Sequence, residues 1–322
     1  MNPFAPLYDR QNHGTAEQKH ASLPSFPRLI DIELTSACNF RCLMCPTGNH
    51  SMQRATGFMD ERTFYDIVAQ CAPYETALRF IGWGENTLHP QIVSFVQAAS
   101  DVGLLTHLNT NGSKLTYDLA CDLADAGLSS IKFSFQGVDA KSYAEMRNID
   151  FFDGMIEAIN TMLDARGDGK KLPFIAASTS ITYETPEMVE AFKKRLGHLV
   201  DHLSIGHTVF DYMDLKAVRL RPHEVAMLDR LSKLQSVDKK HPDPCPEVYD
   251  KLSVHWDGSV MVCCNAYDDV GKVGKFPEQS LKELWNAPLI REYRERLARK
   301  EYEGPLCSAC WDYQGLTSGA AA

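Results

Sequence analysis

From Arg28 onward the chain keeps a rhythm that few folds can satisfy. Short apolar runs at 29–34, 77–81, 104–109, 130–135, 174–182 and 202–209 read as strands, and helical patterns lie between them near 60–70, 90–102, 114–126, 151–166 and 186–199. Strands separated by helices predict parallel βαβ units and a sheet covered on both faces. Six units are too few to close an eight-stranded barrel. The sequence therefore predicts an α/β fold, a partial (β/α)6 TIM-type barrel over residues 28–212, with its chemistry at the C-terminal ends of the strands.

The flanking segments read differently. Residues 1–27, rich in Pro, His, Gln and Ser, show no periodicity and read as an irregular N-terminal arm covering the barrel. Residues 213–244 read as a linker and helical connection, ending in Lys239-Lys240-His241-Pro242-Asp243-Pro244. Residues 245–312 read as a small second unit, a hairpin (252–256 and 259–263) turning at Asp257-Gly258 and then a helix over 280–300. Its own core is thin, which calls for metal ligation. Residues 313–322 read as a disordered tail.

Hydrophobic residues make up 44% of the 322, enough to bury a full core, and 33 Lys+Arg against 42 Asp+Glu give a net charge of -9. That balance argues against a nucleic-acid partner or an anionic membrane surface. No run of about 18 apolar residues occurs. The segment 1–11 is polar and Pro-interrupted, without the apolar core of a signal peptide, so the expected location is cytoplasmic.

Ten cysteines in such a compartment point to metal ligation or catalysis before disulfides. Cys38, Cys42 and Cys45 follow the first strand in a Cys-x3-Cys-x2-Cys loop. Three close thiolates can hold three irons of a 4Fe-4S cluster and leave the fourth iron to a non-protein ligand. A zinc site completed by His50 is the other reading. Five more, Cys245, Cys263, Cys264, Cys307 and Cys310, fall near the C-terminus, where a zinc ribbon is the alternative to a second cluster. Cys71 and Cys121 lie on helical stretches and read as core residues.

The triplet and its position resemble the radical S-adenosylmethionine (SAM) superfamily. That resemblance implies a 4Fe-4S cluster whose open iron chelates the amino and carboxylate groups of SAM. Its reduction, by a flavodoxin- or ferredoxin-type partner, cleaves SAM to methionine and a 5'-deoxyadenosyl radical that abstracts a hydrogen atom from substrate. Further stretches match in order. Gly82-Trp83-Gly84-Glu85 resembles the family's GGE element for the SAM ammonium, with Trp83 in place of the middle Gly. Asn109 and Asn111 after the third strand, Ser134 after the fourth and Arg147 in Tyr143-Ala-Glu-Met-Arg147 fall where the family surrounds SAM with polar groups, although Asn-Gly and Gln-Gly are also ordinary turns. Phe40 matches an aromatic placed against adenine, or simply packs on the barrel rim.

The C-terminal cysteines resemble the SPASM/twitch extension of that superfamily. With only twelve residues after Cys310, the resemblance implies the shorter twitch form with one auxiliary 4Fe-4S cluster on Cys245, Cys263, Cys307 and Cys310. On a strand the neighbouring side chains of Cys263 and Cys264 point to opposite faces, so only one of the pair aims at the cluster. Cys264 is then packed as a small apolar group or held as a hydrogen-atom donor. The set resembles 2-deoxy-scyllo-inosamine dehydrogenase-like and aminoglycoside epimerase-like members, which implies oxidation or epimerisation of a sugar or aminocyclitol alcohol. A SPASM-type maturase acting on a peptide and a non-catalytic iron-sulfur scaffold are the alternatives. Thr179, His207, Asp211, Tyr212, Tyr249 and His255 are candidate substrate contacts. Asp268 and Asp269 read as surface turn residues, with Asp268 a possible proton acceptor.

Overall fold

Two helices, α1 (Ala5–Asn12) and α2 (Ala16–Ala21), occupy the segment that reads as an irregular arm. A capping box at Thr15 starts α2, its hydroxyl accepting from the Gln18 amide while the Gln18 side chain returns to the Thr15 amide. Phe4 is fully buried on Leu29 and Ala77, with its ring edge-on to His107 at 5.5 Å. These helices therefore plug the N-terminal mouth of the barrel. Their stability comes from tertiary burial, which local periodicity does not report.

The computed structural model describes residues 1–235 and 238–312; the expected tail, 313–322, lies outside the described residues. The barrel follows as β1 (Leu29–Ile32), α3 (Glu61–Cys71), β2 (Ala77–Phe80), α4 (Ile92–Asp101), β3 (Thr106–Thr110), α5 (Tyr117–Asp125), β4 (Ser130–Ser134), α6 (Ala140–Arg147), α7 (Phe152–Arg166), β5 (Phe174–Ile181), α8 (Pro186–Leu196) and β6 (His202–His207). Asp60, Thr116 and Thr185 each cap a helix by accepting from the amide three residues on. Then come α9 (Pro222–Leu234), β7 (Lys251–Val254), β8 (Ser259–Met261), β9 (Lys272–Lys275), α10 (Leu281–Trp285) and α11 (Pro288–Ala298). The helix expected over 280–300 is thus two, because Pro288 has no amide to continue the first and opens the second.

Among the described residues, nine strands form one sheet in the order β6-β5-β4-β3-β2-β1-β7-β8-β9. All pairs from β6 to β7 are parallel, and β7 runs in register beside β1, Leu29 opposite Lys251 and Ile32 opposite Val254. The C-terminal hairpin therefore extends the barrel sheet. One buried cluster passes from Ile30 and Phe80 to Trp285 and Leu297. Trp285 donates to the Pro24 carbonyl at 2.9 Å and carries the Arg294 guanidinium 3.8 Å from its ring centroid. Lys19 and Arg28 both reach Asp250, at 3.0 and 2.6 Å, beside the start of β7. No helix among the described residues is long and apolar enough to cross a membrane.

Candidate functional site

Alternation along the strands sets the site. On β4 the fully buried Ile131 and Phe133 face the helices, so Lys132 and Ser134, which are mostly but not fully buried, face the barrel lumen. The same parity puts Asn109, Ser178 and Ser204 on the lumen wall, with Asn109 beside Lys132 and Ser134 beside Ser178 beside Ser204. At the closed end the lumen is charged. Asp31 holds Arg79 through two bonds of 2.6 and 2.7 Å, and Lys251 is paired with Glu247. Burial drives His107 well below the usual imidazole range, and its ring bridges Ser130 at 2.9 Å and Asn109 at 2.8 Å.

The triplet loop sits at the opposite, C-terminal end. Cys42 and Cys45 close a turn, Cys45 N to Cys42 O at 3.2 Å, and Gly48 lies so close that a Cβ there would stand 2.4 Å from the Cys42 carbonyl. Arg147, at the end of α6, donates to Cys42 Sγ at 3.5 Å and to the Ser134 carbonyl, while its buried Nε has no partner. Asn111 reaches Cys38 Sγ at 4.0 Å and Asn39 at 3.1 Å. Burial pushes the Cys38 thiol up to about 12 and raises Cys45, so both are protonated at neutral pH until a metal displaces the proton.

Next to the loop, the Gly82–Glu85 turn is built by close approach. A Cβ on Gly84 would stand 2.1 Å from the Thr35 carbonyl, and one on Gly82 2.5 Å from Glu33 Cγ. Trp83 donates its amide to Glu33 at 3.0 Å and accepts from Thr47 at 2.5 Å through its carbonyl. Glu85 is buried, and its carboxylate accepts from Thr87, Thr110 and the Asn111 amide, tying the turn to the end of β3. Phe40 is buried edge-on to Phe151 at 5.7 Å, so its ring is part of the packed rim.

The five C-terminal cysteines gather against the other end of the lumen. Cys263 and Cys264 lie past the end of β8, in a bend, so strand alternation does not separate them; their sulfurs and a Glu247 oxygen all lie within 4.8 Å of one another. Glu247 Oε2 is buried without a partner. Burial takes Cys245 and Cys310 up to about 12, with Cys307 and Cys264 among the groups reinforcing it at Cys310, and Cys263 is raised by its bond to Cys264 and by burial.

The triplet is not gathered as a single zinc ion requires. Zinc at about 2.3 Å from each thiolate needs sulfurs about 3.8 Å apart. Among the described residues the only group of three ligand atoms so closely gathered is Glu247, Cys263 and Cys264; Cys38, Cys42 and Cys45 form none, and His50 is exposed.

Other sequence expectations change. Asp268 is no free surface acid: it accepts from the Gln53 and Arg54 amides at 2.9 and 3.2 Å, while Arg54 clasps Glu33 and the Tyr267 carbonyl, so the C-terminal part is clipped to the triplet loop. Thr179, Tyr249 and His255 bond to backbone carbonyls, and Asp211 to Gln235 and Lys239. Cys71 is in the core, whereas Cys121 is half-exposed on α5. Sequence reading missed Asp31, Arg79, Lys132 and Lys251. Their signal was a charge at alternate positions of otherwise apolar parallel strands, as in Leu-Ile-Asp-Ile and Ser-Ile-Lys-Phe-Ser.

Comparison with known proteins places this architecture. Residues 32–196 match the radical SAM superfamily, and residues 245–311 match the SPASM iron-sulfur cluster-binding domain. The chain is 24% identical to the tungsten-containing aldehyde ferredoxin oxidoreductase cofactor-modifying protein of Pyrococcus furiosus, over 88% of this chain and 87% of that one. It shares its fold with BtrN in complex with AdoMet and 2-DOIA (18% identity, TM-score 0.56, 88% of this chain and 92% of that one). Streptococcus suis SuiB bound to precursor peptide SuiA also shares it (17% identity, TM-score 0.64, 86% and 68%).

Proposed function

Because the chain belongs to the radical SAM superfamily and carries a SPASM domain, we propose that it oxidises a carbinol carbon of a small sugar- or aminocyclitol-like substrate held in the lumen. When bound, the clusters would supply the electron that cleaves SAM to a 5'-deoxyadenosyl radical, and a one-electron acceptor for the substrate radical left after hydrogen-atom loss. Cys38, Cys42 and Cys45 would hold the SAM-binding cluster, and Cys245, Cys263, Cys307 and Cys310 the auxiliary one. The unpartnered Arg147 Nε–H is a donor for the SAM carboxylate. Gly82, Gly84 and Asn111 shape the loops beside Cys38, Glu85 fixes those loops to each other, and the Ser134 hydroxyl opens into the lumen with Asn109 below it.

The observation that carries this reading is the lumen wall: hydroxyl and amide groups of Ser134, Ser178, Ser204 and Asn109 spread between the two cysteine sets. Such a wall suits a polyol. The likeness to BtrN, which spans nearly all of both chains, supports the same class. Epimerisation is the variant in which Cys264 returns a hydrogen atom, and the likeness to SuiB makes a peptide the second substrate class to test.

Anaerobic incubation in D2O with SAM, dithionite and a panel of polyols, aminocyclitols and peptides distinguishes these outcomes. A product two mass units lighter than substrate, with one 5'-deoxyadenosine formed for each, is the expected result. An isomer carrying one deuterium on carbon means epimerisation, and substrate-dependent 5'-deoxyadenosine with peptides alone overturns the small-molecule reading. Cys264→Ala is expected to keep about eight irons and 5'-deoxyadenosine formation, whereas Cys263→Ala falls to about four irons. Iron loss in Cys264→Ala would reverse the ligand assignment.

A further inference from the structure

Among the described residues, the charged side chains around the lumen have bonded partners, with a single exception. Arg79 is held by Asp31, Arg54 by Glu33 and Lys251 by Glu247, while Arg147 is bonded to Ser134 and Cys42. Glu85 is engaged by Thr87, Thr110 and Asn111. Lys132, central on β4, has no hydrogen bond or ion pair among the described residues. It stands in register between Asn109 on β3 and Ala176 on β5, whose small side chain leaves room beside it. Asn109 gives its carbonyl oxygen to His107, so its amide N–H groups remain to donate.

A desolvated cation without a partner is costly to keep, and a fold that keeps one needs a bound anion to repay it. We propose that Lys132 anchors a carboxylate of the substrate, with the Asn109 amide and the Ser134 hydroxyl as its neutral co-donors. This rests on the reading that a small oxygen-rich molecule occupies the lumen, and it narrows that class to acids such as uronates over basic aminosugars. One ammonium flanked by neutral donors matches a single negative charge. A phosphate dianion would leave a charge unmatched close to Asp31. An amine finds no counterpart near Lys132, since the carboxylates of Asp31, Glu33 and Glu85 are already bonded and that of Glu247 is paired with Lys251 and lies beside Cys263 and Cys264.

The groups around Lys132 agree with this. Arg79 on β2 and Lys251 on β7 oppose its charge, Asp31 on β1 and Cys264 favour it, and His107 on β3 and His202 on β6 are themselves depressed in its presence. Burial, first, and Arg79 bring the Lys132 ammonium down to about 8. The unfolded chain keeps a proton on this lysine up to its ordinary value near 10.5. Stability should therefore rise between about pH 8 and that value, and below about pH 8 the full penalty of the unpaired cation is present. Lys132→Met, which removes the charge and keeps the bulk, is expected to raise the unfolding midpoint at pH 7, by an amount that shrinks as pH climbs above 8. A lower midpoint for Lys132→Met at pH 7 would show that Lys132 is already satisfied and would overturn the proposal.

Binding supplies the direct test. Holoenzyme reconstituted with iron and sulfide and saturated with SAM is dialysed to equilibrium against radiolabelled propionate, glucuronate and glucose, as wild type, Lys132→Met and Lys132→Arg. Wild type is expected to retain propionate and glucuronate, the Met variant to lose at least tenfold of both affinities, and the Arg variant to keep them. Equal retention by wild type and Lys132→Met overturns the proposal. Lys132-dependent retention of propionate with glucuronate no tighter than propionate upholds the carboxylate anchor and removes the sugar reading instead.

Discussion

Replacing Cys38, Cys42 and Cys45 together by Ala is expected to lower the iron content of the reconstituted protein from about eight to about four and to abolish 5'-deoxyadenosine formation. The triplet lies at the C-terminal mouth of the barrel, and the five C-terminal thiols are gathered around β7 and β8, against the other end of the lumen. The loss should therefore be confined to one site. Arg147 would lose its sulfur partner at Cys42 but keep the Ser134 carbonyl, so the fold of α6 should persist and circular dichroism should be unchanged. Four irons remaining with no nucleoside formed would separate the two clusters chemically. Undiminished nucleoside would remove the assignment of the triplet, and zinc in the C-terminal set would remove the electron acceptor on which the dehydrogenation depends.

Asp31→Asn is expected to destabilise the protein by about 3–5 kcal/mol, the range for stranding one member of a buried ion pair. Asp31 is 2% exposed and takes both bonds from Arg79, whose charge it maintains against burial. Lys132 and Lys251 feel the same carboxylate, so its removal leaves three cations around one end of the lumen with Glu247 alone to answer them. Urea unfolding under anaerobic conditions should show the loss as a lower midpoint at unchanged slope. Arg79→Met added to Asp31→Asn should recover most of it, because the stranded charge goes with it. A loss under about 1 kcal/mol would mean that water reaches the pair.

Each barrel strand is legible in the sequence because a strand buried on both faces must be apolar over a short run, and the caps at Asp60, Thr116 and Thr185 mark where helices begin. The two cysteine sets are legible for a chemical reason, spacing. Helices α1 and α2 escape because a segment rich in Pro, His and Gln is held by scattered contacts, Phe4 on Leu29 and Ala77, Ala16 in the main core and Lys19 on Asp250, rather than by a stripe. The placement of Cys263 and Cys264 escapes because β8 ends at Met261, and alternation stops with the strand. Pairing of β7 with β1 is invisible in local sequence, since nothing in either strand names its neighbour. Lys132, Asp31 and Arg79 went unread although each is a charge in a strand that should carry none.

The pairing of β1 with β7 also fixes an order of events at the ribosome. Leu29 and its partner Lys251 are 222 residues apart. At about 5–20 residues per second, β1 waits roughly 10–45 s after its synthesis before the strand that covers its open edge exists. Until then Leu-Ile-Asp-Ile presents unpaired amides and carbonyls to any strand that passes. Its one charged side chain, Asp31, can serve in that interval as a gatekeeper against mispairing, before Arg79 and the closing strand take it into the interior.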